Sequence, residues 1–128
     1  MRLLLDTCTF LWAIDDRAKL SEAARSLIVD AGNEVYLSAI SAWEIAVKQG
    51  RGSLRLSEPA SRYVSKYRKA HGYVELALDE ASVLHVGSLP TPHRDPFDRM
   101  LVCQAIAHGL IILTPDPQIS QYPVRVLW

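Results

Sequence analysis

The sequence predicts an α/β fold with a central, mainly parallel sheet of four or five strands flanked by helices. Short runs of Leu, Ile and Val alternate along the chain with longer segments of helical periodicity, which is the pattern of strand–helix–strand units. The chain of 128 residues has the length of a single domain, spanning 1–128 around one core. No internal repeat, low-complexity segment or linker interrupts it.

Each element of the first half is predicted from a local signal. The first strand, RLLLD, is apolar and ends at Asp6, and a short helix, TFLWAIDD, follows it. A second helix, SEAARSLIVDAG, has Ser21 as its cap and Gly32 as its stop. The second strand is EVYLS, and the helix SAWEIAVKQGRG, closed by Gly50 or Gly52, comes after it.

The second half continues the alternation. The helix SEPASRYVSKYRKAHG has Pro59 in its first turn and Gly72 at its end. YVELAL predicts a third strand, and DEASVLHVGSLP predicts a capped helix that Pro90 breaks. A helix over about 95–108 stops at Gly109. LIILT then forms the fourth strand, and VRVLW forms a last strand at the edge of the sheet.

Composition limits the possible partners and locations. The chain carries 14 basic and 14 acidic residues, so a nucleic acid would have to meet a local basic patch. The N-terminal apolar run is broken by Asp6 and is too short for a signal peptide or a membrane span, which predicts a cytoplasmic protein with no membrane association. The histidines and cysteines lack zinc-site spacing, and we expect Cys8 and Cys103 to be small core residues.

Five acidic residues are predicted to meet at one edge of the sheet, because loops and helix N-termini converge beyond the carboxyl ends of parallel strands. They are Asp6 after the first strand, Asp116 after the fourth, Glu44 in the first turn of the helix that follows the second, and Asp95 and Asp98 at the start of the helix before the fourth. Acids brought this close repel one another unless a cation lies among them, and Mg²⁺ prefers oxygen ligands. The pattern predicts a divalent-metal site that could activate water for phosphate hydrolysis.

Most of these acids also have a purely structural explanation. Glu44 completes a Ser-x-x-Glu capping box with Ser41. Asp95 is a good N-cap, Asp98 closes a box-like arrangement with it, and Asp116 between two prolines could initiate a turn. These separate explanations do not account for the joint occurrence of all the acids at one edge.

The chain contains the segments LLLDT, SAISAWEIAVKQGRG and HRDPFDRMLVCQAIAHGLIILTPD. Together these segments resemble the PIN-domain ribonucleases, and most closely the VapC toxins of type II toxin–antitoxin pairs. The resemblance covers essentially the whole chain. It implies a single PIN-like domain and a Mg²⁺- or Mn²⁺-dependent endoribonuclease that cuts single-stranded RNA, leaving a 5′-phosphate and a 3′-hydroxyl. It also implies inhibition by a cognate VapB-like antitoxin and assembly as a homodimer.

The resemblance also implies which acids are catalytic and hold one or two metal ions: Asp6, Glu44, Asp98 and Asp116. Asp95 belongs to the signature HRDPFDR and could ligate the metal, orient a ligand or only cap the helix. Thr7 and Thr114 could orient water or phosphate, or simply satisfy backbone groups.

An RNA substrate would also need positive charge and aromatic rings outside the acids. The segment 48–71 is rich in Lys and Arg with Tyr63 and Tyr67 interleaved, which fits phosphate contacts with base stacking and equally fits a solvated helix face. Arg94 and Arg99 flank the acids and could contact phosphate or offset carboxylate repulsion. The candidate RNA-binding residues are therefore Lys48, Arg51, Arg55, Arg94 and Arg99.

Other functions remain to be weighed against the nuclease. Phe10, Trp12 and Trp43 lie near the acids in the sequence and could fill the core or form a groove for an antitoxin segment. A phosphatase with a strand-end Asp nucleophile would need a second Asp where this chain has Cys8, and the spacing of a cysteine phosphatase is absent. The main alternative is a catalytically inactive PIN-fold module that binds RNA or a partner protein.

Overall fold

Five short strands form the centre of the molecule: β1 Arg2–Leu5, β2 Glu34–Ser38, β3 Val74–Leu76, β4 Ile111–Leu113 and β5 Val126–Leu127. The computed structural model describes residues 1–128. All paired strands are parallel, and their order in the sheet is β3-β2-β1-β4-β5. The predicted α/β fold with a parallel sheet is confirmed, and the last strand lies at an edge as expected.

Six α-helices flank the sheet: α1 Thr7–Asp15, α2 Glu22–Val29, α3 Ala39–Gly50, α4 Ala60–Ala70, α5 Glu80–Leu84 and α6 Pro96–His108. Three short 3₁₀ turns complete the structure: Arg17–Lys19, His85–Ser88 and Ile119–Gln121. None of the helices combines the length and the apolar character that a bilayer-crossing segment needs.

The central strand β1 contributes to a hydrophobic core on both faces of the sheet. Successive side chains of a strand point to opposite faces, so Leu3 and Leu5 pack in one cluster with Phe10 of α1, and Leu4 packs in the other with Leu101 of α6. All three leucines of the strand are fully buried. A strand covered on both faces needs an unbroken apolar run, which explains the sequence LLL immediately before Asp6.

Helix α3 begins earlier than the sequence suggested. Ser38 is its N-cap, because the Oγ atom of Ser38 accepts a hydrogen bond of 2.9 Å from the backbone N–H of Ile40. The predicted capping box between Ser41 and Glu44 is therefore wrong, and Glu44 lies in the second turn of the helix instead of the first. This placement leaves the Glu44 carboxylate free of any capping role.

The predicted helix ends are mostly confirmed, but Pro59 is the N-cap of α4 and does not lie in its first turn, and the end of α2 also differs. This helix ends at Val29, and the Asp30 side chain accepts a 2.8 Å hydrogen bond from the backbone N–H of Gly32. Gly32 therefore belongs to the turn after the helix and is not its stop. Gly72 and Gly109, by contrast, adopt the positive φ angles of helix-terminating glycines.

The φ angle of 65° at Gly109 makes this position sensitive to substitution. We expect Gly109→Ala to lower the free energy of unfolding by about 1 kcal/mol, because a side chain destabilises the left-handed conformation. No atom lies within 4 Å of a Cβ placed there, so the effect is conformational and not steric. Gly87→Ala is the matched control, with equal space and no positive φ. Equal losses in urea unfolding of the two variants would contradict this explanation.

Candidate active site

All five predicted acids line one cleft at the carboxyl end of the sheet. The cleft has a volume of about 210 Å³ and is lined by Asp6, Thr7, Cys8, Trp12, Glu44, Lys48, Asp95, Asp98, Pro115 and Asp116. Two larger cavities, of about 320 and 360 Å³, contain none of these acids. The chemistry of the lining, and not the size of the cavity, therefore identifies this cleft as the candidate active site.

Asp6 is fixed between two elements of the fold. It is the N-cap of α1, where its Oδ1 atom accepts a 2.8 Å hydrogen bond from the backbone N–H of Thr9. Its Oδ2 atom accepts a hydrogen bond from the hydroxyl of Thr114, which directly follows β4. Burial raises the pKa of Asp6, the bonds from Thr114 and Thr9 lower it, and the charge of Asp116 raises it; the net shift is upward. The charged form of Asp6 is therefore disfavoured in this environment, and a bound cation would stabilise it.

Glu44 is held by a hydroxyl on one oxygen and an ammonium group on the other. Its Oε1 atom accepts a 2.6 Å hydrogen bond from the hydroxyl of Thr7, whose oxygen also lies 3.0 Å from the Oγ atom of Ser41. Its Oε2 atom lies 2.5 Å from the Nζ atom of Lys48, one turn further along α3. This hydrogen bond raises the pKa of Lys48. Lys48 thus offsets part of the negative charge of the cleft.

The two acids at the start of α6 have different surroundings. The Oδ1 atom of Asp95 accepts hydrogen bonds from the backbone N–H groups of Phe97 and Asp98, at 2.9 and 3.0 Å, so Asp95 caps the helix while lining the cleft. Asp98 instead points its Oδ2 atom at the Nε2 atom of His93, 3.3 Å away. Burial and the negative charge of Asp95 raise the pKa of Asp98 to about 6, against the hydrogen bond with His93 that lowers it.

His93 connects Asp98 to a small polar network that the sequence did not reveal. Its side chain is 9% exposed, and its Nδ1 atom lies 2.6 Å from the hydroxyl of Tyr122. A single neutral tautomer explains both contacts, with Nε2–H donating to Asp98 and Nδ1 accepting from Tyr122. Arg99 donates to the same hydroxyl at 3.1 Å and to the backbone carbonyl of Pro90 at 2.8 Å. The network fixes the loop before α6 and the orientation of Asp98.

Asp116 both initiates a turn and lines the cleft. Its Oδ1 atom accepts a 2.9 Å hydrogen bond from the backbone N–H of Gln118, so it initiates a turn. Its own N–H donates to the hydroxyl oxygen of Thr114 at 3.1 Å, and its half-buried side chain lines the cleft. The turn brings Asp116 close to Asp6.

Three of the predicted roles need correction. Thr7 and Thr114 donate their hydroxyl protons to Glu44 and Asp6, so they orient carboxylates and are not free donors for water or phosphate. Cys8 is exposed and lines the cleft, whereas Cys103 is buried as expected. Partial loss of hydration and the nearby charges of Asp6 and Glu44 raise the pKa of the Cys8 thiol to about 11. The thiol therefore stays protonated at neutral pH and is unsuited to act as a nucleophile.

Only one of the candidate RNA-binding residues lines the cleft. Lys48 lines the cleft, whereas Arg51, Arg55 and Arg94 are exposed outside it. Arg99 is half-buried, and its Nη1 atom already donates to the Pro90 carbonyl and the Tyr122 hydroxyl, so its role in RNA binding stays a prediction. Tyr63 is also excluded as a stacking ring, since it is fully buried and bonded to Asp15.

The aromatic residues near the acids separate into three environments. Phe10 is fully buried in the core. Trp12 is half-buried and lines the cleft. Trp43 is 55% exposed and lies outside the cleft, with its ring 4.8 Å from that of Phe97. Only Trp12 therefore combines an aromatic ring with direct access to the acids.

The donor chemistry of the cleft fits a hard divalent cation. Carboxylate oxygens dominate its polar lining, and the raised pKa values of Asp6 and Asp98 show the cost of their charges. In the present side-chain arrangement, no three His, Cys, Asp or Glu groups are spaced to share one ion. Hydrogen bonds from Thr7, Thr114 and His93 hold Glu44, Asp6 and Asp98 in this arrangement.

The chain matches a known protein family over most of its length, and one relative is similar to part of it. The family model described as the PIN domain matches residues 3–124. A curated relative, Ribonuclease VapC16 from Mycobacterium tuberculosis, is 38% identical over 61 residues, which cover 48% of this chain and 43% of the relative. The chain thus matches less than half the length of that relative.

Solved structures share the fold over nearly the whole chain. The crystal structure of VapBC2 from Rickettsia felis bound to a promoter DNA fragment contains a chain with a TM-score of 0.73 and 16% identity, covering 100% of this chain and 99% of that one. For DNA-bound VapBC from Salmonella typhimurium, the TM-score is 0.69 at 17% identity, covering 99% and 97%. For FitAcB from Neisseria gonorrhoeae, it is 0.64 at 21% identity, covering 98% and 96%. At these identities the likeness concerns the fold alone.

Proposed function

Because this chain belongs to the PIN-domain family, we propose that it is a Mg²⁺- or Mn²⁺-dependent endoribonuclease that hydrolyses phosphodiester bonds in RNA. The observation that carries this proposal is the cleft itself, where five carboxylates face one another and Lys48 is the single basic side chain. Without a cation, such a cleft would repel the phosphates of RNA. A cation bound in the cleft would offset this repulsion and allow a phosphate to approach.

The residues that would hold the metal are those that line the cleft with oxygen atoms: Asp6, Glu44, Asp98 and Asp116, with Asp95 as an auxiliary ligand or a cap. A bound divalent cation supplies an acidified water and positive charge at the phosphate. Asp6 and Glu44 each receive a hydroxyl hydrogen bond, and Asp98 receives one from His93. These bonds fix the direction of each carboxylate before any ligand arrives.

Hydrolysis at this site requires no covalent intermediate with the protein. Water adds to the phosphorus atom, and the bond from phosphorus to the 3′ oxygen breaks, leaving a 5′-phosphate and a 3′-hydroxyl. The protonated Cys8 does not compete as a nucleophile. A carboxylate of the cleft that does not hold the cation can accept the proton that the attacking water loses, and the 3′ oxygen takes up a proton from solvent.

The proposal is tested by incubating pure protein with end-labelled single-stranded RNA in Mg²⁺ or Mn²⁺, and then with EDTA. We expect cleavage that EDTA abolishes and that added metal restores, with 5′-phosphate ends on the downstream products. Binding of RNA without any metal-dependent product would instead support the alternative, a catalytically inactive module on the same fold.

His93→Ala provides a sharper test of how the site is built. Removing the imidazole frees the Asp98 carboxylate to rotate, and the loss of a group that orients a ligand typically weakens metal binding by about 10- to 100-fold. We therefore expect cleavage by His93→Ala to require about ten times more Mn²⁺ than the wild type. His71→Ala, at an exposed histidine outside the cleft, is the control. An unchanged Mn²⁺ requirement in His93→Ala would show that Asp98 needs no support from His93.

The biological setting is proposed from the relatives. Several structural neighbours are VapBC or FitAB complexes, and the curated relative is a VapC ribonuclease. We propose that this chain is likewise the toxin of a pair, acts on RNA in the cytoplasm, forms a homodimer and is neutralised by a cognate VapB-like antitoxin. The whole of 1–128 would then form the single PIN domain of that toxin.

A further inference from the structure

The only aromatic ring in the acidic cleft belongs to Trp12. Its indole is half-buried and packs against the hydrophobic core, and the ring of Trp128 lies 6.1 Å away at an angle of 62°. The Nζ atom of Lys19 lies over the indole, 5.8 Å from its centre. The ring is thus supported by its neighbours while part of it lines the cleft beside the carboxylates.

The rest of the cleft offers little that could recognise a nucleobase. The hydroxyl of Thr7 and the ammonium group of Lys48 are both bonded to Glu44. Of the remaining side chains, Pro115 is apolar, the Cys8 thiol is only a weak hydrogen-bond donor, and the acids are suited to cations. A planar ring beside a site that handles phosphates is the arrangement used for single-stranded nucleic acids, because every base presents a face that can stack.

Lys19 extends the positive charge next to this ring. Its side chain is 58% exposed and lies 3.4 Å from Asp16 in a weak surface ion pair. Such an exposed lysine can exchange its partner for a phosphate at little cost. Trp43, although more exposed than Trp12, packs on Phe97 outside the cleft and has no such combination of neighbours.

We propose that Trp12 positions the substrate by stacking on a base of single-stranded RNA adjacent to the phosphate at the carboxylates, with Lys19 beside the next phosphate. This inference rests on the proposed ribonuclease function, because it assigns the ring to the substrate of that site. Stacking is tolerant of sequence, so Trp12 would contribute to affinity and to the choice of single-stranded over paired RNA, and not to the choice of base.

The binding test uses proteins that carry Asp6→Asn, so that RNA is not consumed. Affinity for a fluorescent single-stranded RNA of mixed sequence is measured by anisotropy in Mg²⁺ for Asp6→Asn alone and for the same protein with Trp12→Leu, Trp12→Phe or Trp43→Leu. We expect Trp12→Leu to raise the Kd about 5- to 100-fold, as for the loss of one stacked base. Trp12→Phe should restore most of the affinity, and Trp43→Leu should match the parent. Circular dichroism and thermal unfolding verify that each variant is folded.

A second arm links the ring to a base directly. The proteins bind RNAs with one abasic nucleotide placed at successive positions, and one of these positions should weaken the Asp6→Asn protein but not its Trp12→Leu derivative. In the active protein, Trp12→Leu should raise KM far more than it lowers kcat. Equal affinities of Trp12→Leu and its parent, or equal affinities of Trp12→Leu and Trp12→Phe, would overturn the proposal and leave the ring to core packing or a protein partner. RNA binding that depends on Trp12, in a wild type that cuts no RNA, would overturn the proposed function but support the stacking.

Discussion

Replacing Asp6 with Asn is expected to reduce RNA cleavage by at least about 100-fold while the protein stays folded. Asp6 is 6% exposed, lies at the end of the central strand and is shared by two elements of the cleft. Losing one carboxylate from a divalent-metal site removes roughly 3 kcal/mol of transition-state stabilisation, which corresponds to a factor of about 100. The rate is measured with labelled single-stranded RNA in Mg²⁺ or Mn²⁺.

The fold should tolerate this substitution for a specific reason. Asn is also a good N-cap, so its amide oxygen can still accept the hydrogen bond from the backbone N–H of Thr9. The cost of burying the charge disappears at the same time. Asp30→Asn is the control, because Asp30 is an exposed acid that does not line the cleft. If Asp6→Asn kept the wild-type cleavage rate, a contaminating nuclease or a different active site would be responsible.

Asp98→Asn should stabilise the metal-free protein at neutral pH. The pKa of Asp98 is raised to about 6 by burial and by the charge of Asp95, above the value of 3.8 for an unperturbed Asp. The folded state therefore binds this proton more tightly than the unfolded state does. The resulting stability is fully present below about pH 4 and is lost as the pH rises through 6. At pH 7.5 the ionised carboxylate costs about 1 to 3 kcal/mol, which Asn avoids.

Urea unfolding in EDTA at pH 7.5 and pH 4 measures this effect. The stabilisation by Asp98→Asn should be largest at pH 7.5 and should shrink towards pH 4, while RNA cleavage by the variant is lost. Asp79→Asn is the control, and it should not stabilise the protein at pH 7.5. The hydrogen bond from Ser82 lowers the pKa of Asp79, so the charge of Asp79 does not oppose folding. A constant difference between Asp98→Asn and the wild type at both pH values would contradict the raised pKa.

The strands and the position of the cleft could be predicted because both follow from local patterns. The run of leucines before Asp6 identifies a buried strand, and the parallel topology then fixes the edge at which Asp6 and Asp116 emerge. Helix starts at Ser21 and Asp95 were equally predictable, since each side chain accepts a backbone hydrogen bond in the first turn.

Contacts between distant segments could not be predicted in the same way. The start of α3 was misplaced because Ser38 and Ser41 are both plausible caps, and only the turn out of β2 selects Ser38. His93 lies within the motif HRDPFDR, but nothing local in the sequence indicates its contact with Tyr122, which lies 29 residues away. The exposure of Cys8 likewise depends on which face of α1 borders the cleft. These features depend on packing between segments that are far apart in the sequence, and local sequence patterns do not reveal such contacts.

The raised pKa values of Asp6 and Asp98 indicate that negative charge is costly in the cleft. Both carboxylates lie close to other acids and away from bulk water, so their charged forms oppose folding of the cleft. A cation would relieve this repulsion and recover the energy as binding affinity. Functional sites are commonly built at such a cost to stability.

Mn²⁺ binding measured by electron paramagnetic resonance tests the central claim most directly, because free Mn²⁺ gives a signal that binding removes. The wild type should take up Mn²⁺ with one or two ions per chain, Asp6→Asn should bind it at least about tenfold more weakly, and Asp30→Asn should match the wild type. Mg²⁺ should compete with Mn²⁺ for the same sites, and the Mn²⁺ concentration that half-saturates binding should also half-activate RNA cleavage. Equal Mn²⁺ binding by the wild type and Asp6→Asn, or cleavage at full rate in a wild type that binds none, would contradict the assignment of the acidic cleft as a metal-dependent nuclease site.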